Sequence, residues 1–182
     1  MTLHTDTYGL ADEYDRLNDA VEEYAAEYAE APANSRAQKI AARQGKEAER
    51  HRAGVAWALG YPDDPERDGA EWGEDVTVAF GALTNGERHL MNDTIDDTGW
   101  KAQDAYVAIA AVEAPFCEHD PDAIDPDEYR DTIMNVVDLH PEFVAWAEAR
   151  ADAVSRGGDT GKSFLESAME AAASTTSPET NG

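Results

Sequence analysis

The sequence predicts a mainly α fold, in which an N-terminal helical hairpin precedes a compact helical domain with at most one short strand. Apolar residues recur at helical spacing, capping boxes mark helix starts, and Pro or Gly ends the apolar ladders. The predicted parts are a hairpin or arm over residues 1–60, an acidic linker over 61–74, a helical domain over 75–170 and a disordered tail over 171–182.

The first helix is predicted over residues 9–31 and ends before Pro32. Its apolar seam advances in steps of four and three residues, with mostly Asp, Glu and Ala in between. The seam residues are Leu10, Tyr14, Leu17, Val21, Tyr24 and Tyr28. Such a short heptad run favours packing against the next helix over a coiled coil with another chain.

The second helix is predicted over residues 36–59, because Ser35 and Gln38 match a capping box. It carries much of the positive charge of the protein. The basic residues in its polar turns are Arg36, Lys39, Arg43, Lys46, Arg50 and Arg52. Two interpretations stay open: a solvated face that pairs with the acidic first helix, or a docking surface for an acidic partner.

The second half of the chain is predicted to be helical after one extended segment. Residues 60–73 have the composition of a linker, and Val76 to Phe80 alternate as in a short strand. Thr84 and Glu87 form a second capping box. Further helices are predicted over residues 101–114, after the N-cap Asp125 with Pro126, and from Pro141.

Charge excludes several classes of partner. The 182 residues contain 39 Asp and Glu against 14 Lys and Arg, a formal charge of -25. Binding to nucleic-acid phosphates or to an anionic membrane needs a basic surface, so neither is expected. No signal peptide and no run of 18 apolar residues occurs, and Cys117 is the single cysteine, which favours an intracellular protein.

The acidity also predicts a halophilic protein. Like charges at this density destabilise a compact chain in dilute buffer, whereas the Debye length falls to about 3 Å in 1 M salt. The acidic, Lys-poor, Ala-rich composition is typical of a haloarchaeal cytoplasm. An acidic disordered chain is the alternative, but 4 Trp, 7 Tyr and the apolar ladders favour a folded one.

No metal site is expected. Cys117 and His119 lie two residues apart, but no second spaced pair completes a zinc site. The aspartates between Asp120 and Asp127 lack the spacing and the glycine of a calcium loop.

No catalytic site or cofactor is expected either. Gly161-Lys162-Ser163 resembles the end of a phosphate-binding loop, yet Arg156 occupies the position of its first glycine. The sequence shows no recognisable combination of a nucleophile, a general base and a residue that orients the base, so the protein is expected not to be an enzyme.

Three segments carry a resemblance to a known family. They are Val-Thr-Val-Ala-Phe-Gly-Ala-Leu-Thr-Asn-Gly-Glu-Arg at 76–88, Asp-Ala-Tyr-Val-Ala-Ile-Ala-Ala-Val-Glu-Ala-Pro-Phe at 104–116, and Leu-His-Pro-Glu-Phe-Val-Ala-Trp-Ala at 139–147, leading to Ala153, Val154 and Ser155. In this order, the stretch from residue 76 to about 167 resembles the tail assembly chaperones of long-tailed viruses of bacteria and archaea. Each motif alone is short, and the resemblance covers about half of the chain.

The resemblance implies a small, helical, non-catalytic protein made during virus assembly. Such chaperones bind the tape-measure protein, keep it soluble and help recruit tail-tube subunits, and they are usually absent from the finished particle. The implied location is the cytoplasm of a haloarchaeal host, and a homo-oligomer is left open. The family has no catalytic residues to transfer.

Two apolar surfaces are candidates for binding a helical partner. One is the seam from Leu10 to Tyr28, and the other is a face that bears Phe143, Trp146 and Phe164. The alternative for both is burial in the core of the protein itself.

Two other functions stay open. One is a structural or adaptor protein of a haloarchaeal tailed virion, and the other is an acidic inhibitor that mimics nucleic acid. Mimicry needs carboxylates on one face, whereas here they are spread over all segments.

Overall fold

The computed structural model describes residues 4–61, 68–70, 72–73, 75–120 and 125–156. Within them the protein is mainly α-helical, which confirms the predicted fold class. The helices are α1 (Leu10–Glu30), α2 (Arg36–Ala58), α3 (Asn85–Thr98), α4 (Ala102–Ala110), α5 (Pro126–Val137) and α6 (Pro141–Ser155). The strands are β1 (Thr5–Gly9), β2 (Thr77–Gly81) and β3 (Ala111–Glu113).

The predicted limit of one strand is wrong, because the three strands form an antiparallel sheet in the order β1-β2-β3. β1 pairs with β2 from Thr5 opposite Gly81 to Gly9 opposite Thr77, and Ala111 lies opposite Phe80 on the other side. Buried β2 needs backbone partners on both edges, and two short segments supply them. The helix predicted over 101–114 therefore ends at Ala110, where β3 begins.

Local capping determines where the helices start. The Ser35 side chain accepts a hydrogen bond from the backbone N–H of Gln38 at 3.1 Å, at the start of α2. The predicted box of Thr84 and Glu87 is complete at the start of α3, since each side chain accepts from the backbone of the other. The predicted bounds of α1 and α2 are confirmed to within one residue.

One core joins the base of the hairpin to the rest of the chain. Leu10 and Leu17 of α1 and Val55 of α2 lie in the same buried cluster as Phe143 and Trp146 of α6. Phe143 and Trp146 are in aromatic contact, with ring centroids 5.1 Å apart.

Helices α2 and α6 cross almost backbone to backbone. A Cβ atom placed on Gly54 would lie 2.4 Å from the backbone of Glu142 and Phe143, which explains a glycine in the interior of α2. Among the described residues, no helix has the length and apolarity that crossing a membrane requires.

Candidate functional site

The outer half of the hairpin extends past the core. In α1 no residue after Leu17 is buried, and in α2 the first buried residue is Ala41. Tyr24 packs on Gly45, where the two helices approach closely enough that an added Cβ would lie 3.5 Å away. We call residues 19–46 the distal arm.

The tip of the distal arm exposes apolar side chains. Tyr28 is 47% exposed at the end of α1, and Ile40 is 38% exposed at the start of α2. Between the two helices lies an open cleft of about 470 Å³. Its lining consists of Glu27, Glu30, Ala31, Ala37 and Ile40. We call Tyr28, Ile40 and this cleft the tip.

The two helices of the distal arm carry opposite charge on their outer sides. The acidic edge is formed by exposed side chains of α1, namely Asp19, Glu23, Glu27 and Glu30. The basic edge is formed by exposed side chains of α2, namely Arg36, Lys39, Arg43 and Lys46. At about 100° per residue, the basic edge lies roughly 140–160° around α2 from the buried Ala41. The acidic edge runs from about 60° to about 140° around α1 from Tyr24, and its end at Glu27 and Glu30 borders the cleft.

The basic edge does not pair with the acidic first helix. Within the described residues no ion pair links α1 to α2, and none involves a residue of the basic edge. The polar contact that crosses the hairpin joins Arg52 Nη1 to Asn18 Oδ1 at 3.4 Å. The basic edge is therefore a solvated, unpaired surface in a protein of strongly negative charge.

A buried carboxylate fixes the base of the hairpin to α6. Glu13 is 7% exposed, and its Oε2 accepts from Trp146 Nε1 at 3.0 Å and from Arg150 Nε at 2.9 Å. Its Oε1 accepts from Arg16 Nε at 3.1 Å. The guanidinium of Arg150 also lies 5.2 Å from the ring centroid of Tyr8. The Glu13 network therefore determines the direction in which the distal arm leaves the core.

A groove runs along the base of the basic edge. It has a volume of about 570 Å³ and lies between α2, α4 and α6. Arg43 and Lys46 line one wall, and Glu148 and Asp152 of α6 line the other. Gln103 Nε2 donates to Glu148 Oε2 at 2.7 Å, so part of the acidic wall is already engaged.

A second hollow of about 430 Å³ adjoins this groove and shares Arg50 and Gln103 with it. Trp100 and Leu139 are part of its lining, and Arg50 forms an ion pair with Glu142 at the junction. The side chains of Met134 and Val137 on α5 are 48% and 44% exposed. This part of α5 is a second apolar surface.

The Cys117 and His119 pair lacks the chemistry of an activated nucleophile. Cys117 Sγ lies 3.5 Å from His119 Nδ1, which lies 3.1 Å from Thr132 Oγ1. Burial raises the pKa of the Cys117 thiol to about 11, and burial lowers the pKa of the His119 imidazole. Both groups are therefore neutral near pH 7, whereas a catalytic pair needs the thiolate.

The imidazole of His119 packs against an aromatic ring. Tyr129 stacks on His119 with ring centroids 4.0 Å apart. Across the part of the chain that the structure describes, no group of three His, Cys, Asp or Glu side chains could hold a metal ion.

The residues predicted to bind a partner have three different environments. Leu10, Leu17, Phe143 and Trp146 are buried together in the core, as the alternative interpretation expected. Tyr14, Val21 and Tyr24 are half-buried, and Tyr28 is exposed. Phe164, the Gly161 to Ser163 segment and the predicted tail lie outside the described residues.

Sequence reasoning missed two features of this region. Ile40 is the one large apolar side chain between Arg36 and Gly54, and that isolation was the available signal for an exposed position. Glu13 gave no signal, because its partners Trp146 and Arg150 lie more than 130 residues away. No known protein family, curated protein or solved structure matches this chain.

Proposed function

We propose that this protein is a non-catalytic tail assembly chaperone, which binds the tape-measure protein of a haloarchaeal tailed virus and helps recruit tail-tube subunits. The resemblance of residues 76–167 to that family supports the proposal. The observation that carries it is the tip, where Tyr28 and Ile40 expose apolar surface at the end of the distal arm.

A partner with apolar helical seams is a suitable occupant for the tip. A tape measure is a long helical chain, and an exposed helix buries its apolar side chains in a cleft between two other helices. Glu27 and Glu30 surround the apolar centre of the cleft, so the surface stays soluble when no partner is bound.

Co-expression with the tape-measure protein of the same virus tests the proposal. In molar KCl the wild-type protein should keep the partner soluble and co-purify with it. The double variant Tyr28→Glu, Ile40→Glu should lose both effects, because each charge would have to be desolvated in the contact. Its circular dichroism should match the wild type, since both side chains are exposed.

The double variant Met134→Glu, Val137→Glu is the matched control, because it places the same charges on the exposed apolar surface of α5. It should behave as wild type. If partner solubility is lost in this control alone, the binding surface is on α5. If it is lost in neither variant, the tip is not the binding site.

The proposal also concerns location. A chaperone acts in the host cytoplasm and is absent from the finished particle, whereas a virion adaptor is present there. Mass spectrometry of purified particles separates the two, because stoichiometric copies of this protein would support the adaptor function.

A further inference from the structure

We propose that the distal arm binds a second copy of this chain, with the acidic edge of one copy against the basic edge of the next. All eight side chains of the two edges are exposed. None of the four cations of the basic edge has an ion-pair partner within the described residues. This exposed row of cations is complementary in charge to an anionic surface, and the row on α1 of a second copy is one.

The two edges match in length and register. Asp19 to Glu30 span about 16.5 Å of helix, and Arg36 to Lys46 span about 15 Å. When two arms lie side by side with their tips level, α1 of one copy runs antiparallel to α2 of the next. That arrangement places opposite charges at the same height in four pairs: Glu30 with Arg36, Glu27 with Lys39, Glu23 with Arg43, and Asp19 with Lys46.

The position of the edges determines the symmetry of the assembly. The two edges lie on different sides of the distal arm, so a two-fold axis between neighbouring edges would place acids against acids or bases against bases. An acid-to-base contact is instead heterologous and leaves one free edge of each kind at the ends. The expected assembly is therefore a ring or a short filament, and not a closed dimer.

Salt weakens but does not abolish this contact. At about 1 M salt the Debye length is about 3 Å. The repulsion between acidic side chains of two copies is therefore screened wherever they lie farther apart than this length. Charges in direct contact at about 4 Å keep part of their attraction. Association should therefore occur in the KCl range in which the protein is folded, and it should decrease toward the highest KCl concentrations.

Sedimentation velocity of two charge-swap variants tests the contact. The basic-edge variant is Lys39→Glu, Lys46→Glu, and the acidic-edge variant is Asp19→Lys, Glu23→Lys, which leaves the lining of the tip intact. Wild type should exceed the monomer mass of 19.8 kDa as protein concentration rises, while each variant alone stays monomeric. An equimolar mixture of the two variants should associate again, because each then offers the edge that the other lacks.

The variant Asp131→Lys, Asp138→Lys is the control for the acidic-edge variant, since it makes the same change of net charge at exposed positions in α5 and at its C-cap. It should associate as wild type does. Circular dichroism confirms that each variant is folded at the KCl concentration used.

Three outcomes would overturn the proposal: a wild type that is monomeric wherever it is folded, variants that associate like wild type, or a mixture that stays monomeric. Binding of a separate acidic peptide by a monomeric wild type would give the basic edge a different occupant. The test uses no tape-measure protein and leaves Tyr28 and Ile40 unchanged, so its failure is distinguishable from failure of the proposed function.

Discussion

Glu13 connects three donors at the point where α1 meets α6. Its carboxylate accepts from Trp146, Arg150 and Arg16, and Arg150 is largely buried with it. A buried ion pair need not stabilise a protein relative to apolar residues, but removal of one partner leaves a charge without compensation. Loss of this carboxylate should therefore destabilise the hairpin base, beside the apolar contacts that also hold it.

Replacement of Glu13 by Ala should lower the free energy of unfolding by about 3–5 kcal/mol, because Arg150 and the Trp146 N–H would lose their acceptor. Urea unfolding in molar KCl measures the change. Asp15→Ala is the control, since Asp15 is an exposed acid of the same helix, and it should change stability by no more than about 0.5 kcal/mol. Equal effects of the two substitutions would show that the network contributes nothing.

At the scale of elements, two glycines of α2 have opposite surroundings. A Cβ on Gly54 would meet backbone atoms of α6 at 2.4 Å, whereas a Cβ on Gly45 would meet the Tyr24 Cβ at an ordinary 3.5 Å. One glycine permits a close helix crossing, and the other only lowers the helical propensity of the distal arm.

The variant Gly54→Ala should destabilise the protein by about 1–3 kcal/mol, because α2 and α6 must move apart. Gly45→Ala should stabilise it by up to about 1 kcal/mol, since Ala is a better helix former than Gly. Thermal unfolding of both variants compares them directly. The same sign of change in both would contradict the crossing described here.

The sequence predicted the helices well because their signals are local. Each residue that marks a helix start affects the backbone only a few positions away, and these residues are Ser35, Thr84, Asp125 and Pro141. The apolar seam of α1 likewise repeats within one helix. β1 and β3 were missed because their formation depends on β2, which is far from β1 in the chain. For the same reason the sequence could indicate Tyr28 on the seam, but not which seam residues the core would cover.

At the scale of the whole molecule, burial stabilises the body of the protein, whereas the repulsion between acidic side chains matters more for the distal arm. Acidic side chains surround a core in which the hairpin base, the sheet and α4 to α6 share one cluster. The distal arm receives little of that burial, so its helices depend more on the screening of like charge along α1.

Dilution of KCl from molar to about 0.1 M, where the Debye length reaches about 10 Å, should reduce the helix content of the protein. Circular dichroism follows the loss, and thermal unfolding at each KCl concentration measures the stability. A spectrum and a melting curve that do not change over this range would refute the halophilic interpretation.

The hydrogen bond from Trp146 to Glu13 joins residues separated by 133 positions, while the contacts within the hairpin are local. Local contacts form early and distant ones late, because closing a long loop costs more entropy. During synthesis, α1 and α2 are therefore complete before α6 exists to orient them. If the distal arm binds a partner as proposed above, it can do so on a nascent chain whose body is still unfolded, so that binding and folding overlap in time.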